Sequence, residues 1–323
     1  MFRPAFSSTG EEVANTFAQE IQGKNVLITG TSVGGIGFET ARVIAKHANL
    51  IIITGYDSDR LKVSEDAIKK ETPSANIRRL VLDLSSLVEV RKAAAEVNTY
   101  PEPLHVLINN AAAPIGPFKL TVDNLESQTA TDYIGPFLFT KLLAPKLLAA
   151  STGSYVPRVV FLSSYGHALI PELDLNKIVG KPDEAKYHPF YAYAHMKAAS
   201  VLIAIELSKR SGGRINAYSL CPGQVYTNMH QREGSIELFQ QIGLLDTDGR
   251  PSTEKFDAWK TIPQGAATTV VAAFDPRLND HPGAYLSNGA EANKERAAHS
   301  SDPANAEKLW NQTEEIIGEK FTF

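Results

Sequence analysis

One stretch near the N-terminus constrains the fold more than any other. Asn25 to Thr29 carries a continuous apolar run of Val, Leu and Ile. It leads directly into Gly30-Thr31-Ser32-Val33-Gly34-Gly35-Ile36-Gly37, after which Phe38 to His47 reads as a helix. Strand, glycine turn and helix together form the opening unit of an open α/β sheet. Glycines let the backbone approach a pyrophosphate, and the helix N-terminus favours its negative charge. A glycine run by itself marks only a tight turn; the flanking strand and helix turn it into a nucleotide site.

The same alternation continues along the chain. Thr9-Gly10-Glu11-Glu12 reads as a capping box opening a short helix that ends near Gly23. Further strands are expected at Leu50–Thr54, Ile77–Leu82, Leu104–Ile108, Arg158–Leu162 and Arg214–Leu220, with a short one near Ala284–Leu286 after a helix over Gln264–Phe274. A long helix is expected within Asp123–Ala150, bent by Pro136 and Pro145. The prediction is one α/β domain over residues 1–323: a Rossmann-type, doubly wound, mostly parallel seven-stranded sheet with helices on both faces. Residues 228–262 show no core pattern and read as a lid over the substrate. In such sheets ligands bind beyond the carboxyl ends of the strands. Gly30, Gly55, Asp83, Asn110, Ser164 and Pro222 all fall there.

Tyr193 and Lys197 are four residues apart in a segment rich in Ala, Leu and Ile. On a helix this places a phenol and an ammonium on one face. A nearby cation favours the phenolate, and moving a tyrosine from about 10 to about 7 needs roughly 4 kcal/mol. The pair alone more often marks a solvated helix face; the strand-end residues give it weight.

Composition serves mainly to exclude. Hydrophobic residues make up 43% and charged residues 21% of the 323 positions, as in ordinary globular proteins. The net charge is −4 with no basic run, which argues against nucleic acid. No apolar run approaches the length of a membrane span, and the N-terminus lacks an apolar signal core. Cys221 is the single cysteine, so no intrachain disulfide forms, and a cytoplasmic setting is expected. No His, Cys, Asp and Glu pattern has metal-ligand spacing, and no metal is expected.

Taken together, Thr29-Gly30 through Gly37, Asp83-Leu84, Asn109-Asn110-Ala111, Ser163-Ser164, Tyr193 with Lys197, and Pro222-Gly223 through Thr227 resemble the short-chain dehydrogenase/reductase family. The likeness spans about Gly23 to Phe274 and is strongest to its fungal retinol-dehydrogenase-like branch. It implies Tyr193 as the acid/base, Ser164 as hydrogen-bond partner of the reacting oxygen, and Lys197 as ligand of the nicotinamide ribose that lowers the Tyr193 pKa. It implies cofactor contacts from Gly30, Ser32, Val33, Gly34, Gly35, Ile36, Gly37, Tyr56, Asp83, Leu84, Asn110, Ala111, Tyr193, Lys197, Pro222, Gly223, Val225 and Thr227. Asp83 would touch adenine and Thr227 the carboxamide. Tyr191, His195 and His167 are read as wall or local structure. The family also admits a homodimer or homotetramer.

The chain departs from the family pattern in four places. Its glycine turn is one residue longer, Ala112 replaces a glycine, Tyr56 stands where an arginine is common, and Asp132 occupies the position of a catalytic asparagine. Two arrangements are open for Asp132, an ion pair with Lys197 or acceptance from a relay water; the second is the expected one. The implied activity is hydride transfer between a nicotinamide cofactor, NADP(H) before NAD(H), and a small carbonyl or alcohol. The NADP(H) lean rests on Gly55, which offers no carboxylate, and on Ser32 or Arg60 as phosphate ligands. A nucleotide-binding sensor without catalysis is one alternative and a sugar-nucleotide epimerase or dehydratase another. The substrate pocket is expected from Ala112–Gly116, Tyr165–Ile170, Tyr187–Tyr191, Gln224 and the lid, which suits a mid-sized apolar or aromatic ketone.

Overall fold

The computed structural model describes residues 4–323 except 182, 233 and 255–257. The opening strand forms as expected: β1 (Asn25–Ile28) is buried at every position. After it come β2 (Leu50–Gly55), β3 (Ile77–Val81), β4 (Val106–Asn109), β5 (Arg158–Leu162) and β6 (Asn216–Cys221). Two short strands, β7 (Gln224–Val225) and β8 (Trp259–Lys260), pair only with each other, and β9 (Tyr285–Ser287) and β10 (Ala290–Glu291) follow. The main sheet has the order β10-β9-β6-β5-β4-β1-β2-β3. All pairs are parallel except β10 against β9. The sheet therefore has eight strands, not seven. The added edge strand is two residues long, too short for any periodicity to announce it.

Two apolar layers cover the sheet. One packs Phe137, Phe139, Met196, Leu202 and Trp310 against one face. The other packs Val13, Ile44, Val270 and Phe274 against the opposite face. The strand order reverses between β1 and β4, and the crevice opens there. The expected capping box at Thr9 and Glu12 is present.

The long helix differs from expectation. It is interrupted by a wide turn over Ala130–Ile134 before continuing as Gly135–Leu148. The Gly135 N–H reaches back to the Ala130 carbonyl. Pro136 has no N–H to continue the ordinary ladder, so the widening falls just before it. Pro145, by contrast, lies within the regular helix. The expected lid also has a core of its own: Ile115, Phe239 and Leu245 cluster with Phe190, Tyr193, Met229 and Trp259. Its cohesion comes from aromatic contacts across the chain, such as Phe190 with Phe239 at 5.9 Å, which leave no local period. Among the described residues no helix is long and apolar enough to cross a membrane.

Candidate active site

The glycine turn is built by steric demand. Gly30 has φ +71°, and a Cβ there would lie 2.8 Å from the Ala111 Cα. A Cβ at Gly37 would collide with the Asn110 amide and the Gly30 carbonyl oxygen. Thr29 ties the two strand ends together: its hydroxyl accepts from the Asn110 and Ala111 N–H groups, each at 3.0 Å. The Asn110 amide donates to the Thr29 and Gly30 carbonyls at 2.8 and 3.0 Å, so it secures the turn. The sequence motif includes Thr29, but nothing in it marks the hydroxyl as the tie between the two strand ends.

The helix after the turn, Ile36–Ile44, begins at Gly35 without a side-chain cap. Its first N–H groups have no intrahelical acceptor. Ser32, Val33 and Gly34 form the turn beside it, where Gly35 N–H donates to Ser32 O at 3.2 Å. Asn228 seats on the same turn, bonding Gly34 O at 3.1 Å and Val33 O at 3.1 Å. An uncapped N-terminus beside glycines that no side chain could replace fits the pyrophosphate of a dinucleotide.

The outer cofactor positions are mixed. Tyr56 is exposed at the end of β2. Asp57 accepts from the Asp59 and Arg60 N–H groups as an N-cap, and Arg60 remains on the surface. Asp83 accepts from the Ser85 N–H and hydroxyl through one oxygen. Ser86, rather than Ser85 or Asp83, caps the next helix. The Leu84 side chain belongs to the core, leaving only its backbone for a ligand. Gly223 has φ +89° and packs on the Lys260 stem, while Pro222 and Val225 flank it. The Thr227 hydroxyl caps the short turn Asn228–Gln231.

At the ends of β5 and β6 the three expected side chains converge. Tyr193 and Lys197 lie on the helix Pro189–Arg210, with the ammonium 5.2 Å from the phenol ring centroid. The Ser164 hydroxyl accepts from Gly166 N–H at 3.0 Å, which leaves its own proton free to donate. Burial pushes the Tyr193 phenol above its ordinary value, and the Lys197 charge and Ser164 hydroxyl pull it down without prevailing. The expected pull of Lys197 is present, but desolvation of the phenolate reverses the net shift.

Asp132 explains part of that reversal. The wide turn aims it inward, and its carboxylate pairs with Lys197 at 3.2 Å. Its other oxygen accepts from the Ala113 N–H at 2.6 Å, and Lys197 also reaches the Leu162 carbonyl at 3.3 Å. Of the two open arrangements, the ion pair, the less expected one, is seen. With both partners almost fully buried, a short charge-assisted contact compensates their desolvation better than a bridging group would. Burial pushes the Asp132 carboxyl up against the opposing pull of Lys197. Burial also presses on Lys197, but Asp132 holds its ammonium above the ordinary value.

The remaining expected residues fall elsewhere. Tyr191 is half exposed and lines a separate cavity of about 250 Å³ with Phe118, Glu126, Lys177, Tyr187 and His188. His195 bonds the Tyr191 carbonyl at 2.6 Å and accepts from Asp174 N–H at 3.4 Å, a local structural role. Among the described residues no three His, Cys, Asp or Glu side chains converge as a metal site.

Comparison with known proteins places this geometry. A short chain dehydrogenase family model matches residues 24–169. A Brassica napus protein, short-chain dehydrogenase TIC 32 A, chloroplastic, is 33% identical over 96% of this chain and 93% of its own length. The chain belongs to the short-chain dehydrogenase/reductase family. The Penicillium roqueforti short-chain dehydrogenase/reductase prx1 is 32% identical over 92% of the chain and 86% of the relative. The WW domain-containing oxidoreductase of Danio rerio is 33% identical over 94% and 71%. Plant, fungal and fish relatives at 32–33% identity single out the family rather than its fungal branch. An uncharacterized Mycobacterium paratuberculosis protein superimposes with TM-score 0.70 at 25% identity, covering 95% of this chain and 98% of that one. The protein is an oxidoreductase of a family that uses NAD(P).

The 228–262 segment carries a pH-sensitive contact. The His230 imidazole accepts from the Thr227 N–H at 3.3 Å, and burial pushes its pKa down to about 4. His105 accepts from Asn25 N–H at 3.0 Å and is likewise pushed down to about 4, chiefly by burial. Both folded values lie below the unfolded value of about 6.5. Their contribution is therefore complete above pH 6.5 and lost as pH falls towards 4, by up to about 3 kcal/mol for His230 and less for the half-buried His105, where solvent screens the charge. The thermal midpoint should drop across that window. His230→Asn, which keeps an acceptor but does not titrate, should make the drop shallower; an unchanged slope rejects the role of His230.

Proposed function

We propose that the protein interconverts a small ketone or aldehyde and the corresponding alcohol with NADP(H), Tyr193 acting as the acid/base. The observation that carries this reading is the convergence of the Ser164 hydroxyl, the Tyr193 phenol and the Lys197 ammonium beside the strand-order reversal. A bound nicotinamide supplies or accepts the hydride. The chain's own residues orient the carbonyl and manage its proton. Ser164, whose acceptor side is taken by Gly166, donates to the carbonyl oxygen. Tyr193, kept protonated by burial, is suited to give that oxygen its proton, which favours the reductive direction near neutral pH. Lys197 remains cationic beside the phenol and stabilises the phenolate left behind. The aromatic lid residues around Tyr193 exclude water and favour an apolar or aromatic substrate.

NADP(H) is favoured because Gly55 ends β2 without a carboxylate, and the nearest one, Asp57, caps the following helix and pairs with Arg60 at 3.8 Å, a cation that a 2′-phosphate could recruit. Turnover of an aliphatic and aromatic ketone panel with each reduced cofactor tests the reading. The expected outcome is reduction with kcat/KM at least about tenfold higher for NADPH; preference for NADH refutes the cofactor assignment. The Asp132–Lys197 ion pair favours a second reading, a nucleotide-binding sensor in which Lys197 is held from its ligand. Cofactor binding without turnover across the panel would support that reading instead.

A further inference from the structure

Ser164 is held by residues that lie outside the reacting groups. His167, three positions on, is fully buried. One ring nitrogen, Nδ1, lies 2.6 Å from the Ser164 carbonyl oxygen. The other, Nε2, accepts from the Ala297 N–H at 3.4 Å. These partners are satisfied together only by the neutral tautomer with its proton on Nδ1, and burial favours that neutral form. The His299 Nε2–H donates to the His167 carbonyl at 3.1 Å, and the His167 ring meets Tyr285 edge-on with centroids 5.0 Å apart. The segment beyond the last strand thus bonds both the ring and the backbone of His167. On the other side the loop is confined by the phenol, since a Cβ at Gly166 would lie 3.1 Å from the Tyr193 ring.

We propose that His167 is a positioning residue: by tying the Ser164 carbonyl to the Ala297 amide, it lets the C-terminal segment 297–299 fix the Ser164 hydroxyl against Tyr193. This rests on the reading of Ser164 and Tyr193 as the reacting groups. A merely structural histidine would affect stability; this one sets where the serine proton points.

Ala297→Pro isolates the connection. Ala297 has φ −64°, and Arg296 before it has φ −68° and ψ 135°, both already suited to proline and its predecessor. The substitution removes the N–H that His167 accepts and leaves the backbone conformation in place. Ala297→Pro and His167→Leu should each lower kcat about tenfold, a fraction of the loss when an oxyanion donor is removed outright, with the cofactor KM unchanged. Their double variant should be no worse than His167→Leu alone, because both break one link. His167→Asn, which can donate in place of Nδ1, should recover most of the rate.

A second readout does not require turnover. The ¹³Cζ resonance of Tyr193, identified by its loss in Tyr193→Phe, should titrate at higher pH in both variants as the serine donor withdraws. If the parent reduces no ketone but this midpoint still rises, the catalytic reading fails and the positioning stands. An unmoved midpoint in folded Ala297→Pro and His167→Leu, or additive losses in kcat, overturns the proposal.

Discussion

Tyr193→Phe is expected to lower kcat by at least about a thousandfold, within the range of a positioned general acid. The substitution removes only the hydroxyl. The ring keeps its place in the lid cluster with Phe239 and Trp259, so the thermal midpoint should barely move. The glycine turn and the uncapped helix at Ile36 lie on other elements, so the cofactor Kd should stay within about threefold of the parent, well under 1 kcal/mol. Tyr191→Phe is the matched control, since Tyr191 lines a different cavity; it should retain most activity. Steady-state kinetics and cofactor titration on the three proteins check this. Tyr193→Phe turning over near the parental rate would remove Tyr193 from the mechanism.

Asp132→Ala carries the second large effect. It deletes the counter-charge of a buried ammonium and the acceptor of the Ala113 N–H in one step. Removing one member of a buried pair costs about 3–5 kcal/mol, since the survivor stays desolvated and uncompensated. A loss of stability of that order is expected, with a fall in kcat of more than about tenfold. The pH dependence gives the sign. Lys197 is held above its ordinary value by Asp132, so its contribution to stability persists below the unfolded value and fades only as pH climbs above it. Without Asp132, burial is opposed only by Tyr193 and lowers the ammonium pKa, so the alkaline limb of kcat should move to lower pH. Asp132→Asn keeps an acceptor for Ala113 and should change kcat by less than about tenfold. An Ala variant matching the parent in both thermal midpoint and alkaline limb would show the ion pair to be incidental. A rise in kcat of more than tenfold for the Asn variant would mark Asp132 as inhibitory and support the sensor reading.

The sequence by itself determined what short-range physics controls. Continuous apolar runs specify buried parallel strands such as β1, and the left-handed backbone of Gly30 and the crowding at Gly37 require glycine whatever surrounds them. A spacing of four on a helix puts Tyr193 and Lys197 on one face before any tertiary contact forms. The position of the crevice follows from the order of strands and glycine turn.

Tertiary structure decided what depends on burial and on partners distant in the chain. Whether Tyr193 ionises more or less readily is settled by desolvation, a property of everything packed around it. Asp132 meets Lys197 because the widened turn before Pro136 faces inward, and no local pattern distinguishes that turn from an ordinary helix. The 228–262 segment packs through Phe190, Phe239 and Trp259, which share no period. His167 and Ala297 are 130 residues apart; only the folded chain brings their nitrogens within hydrogen-bond reach, since sequence spacing encodes contacts along one element but not those between elements.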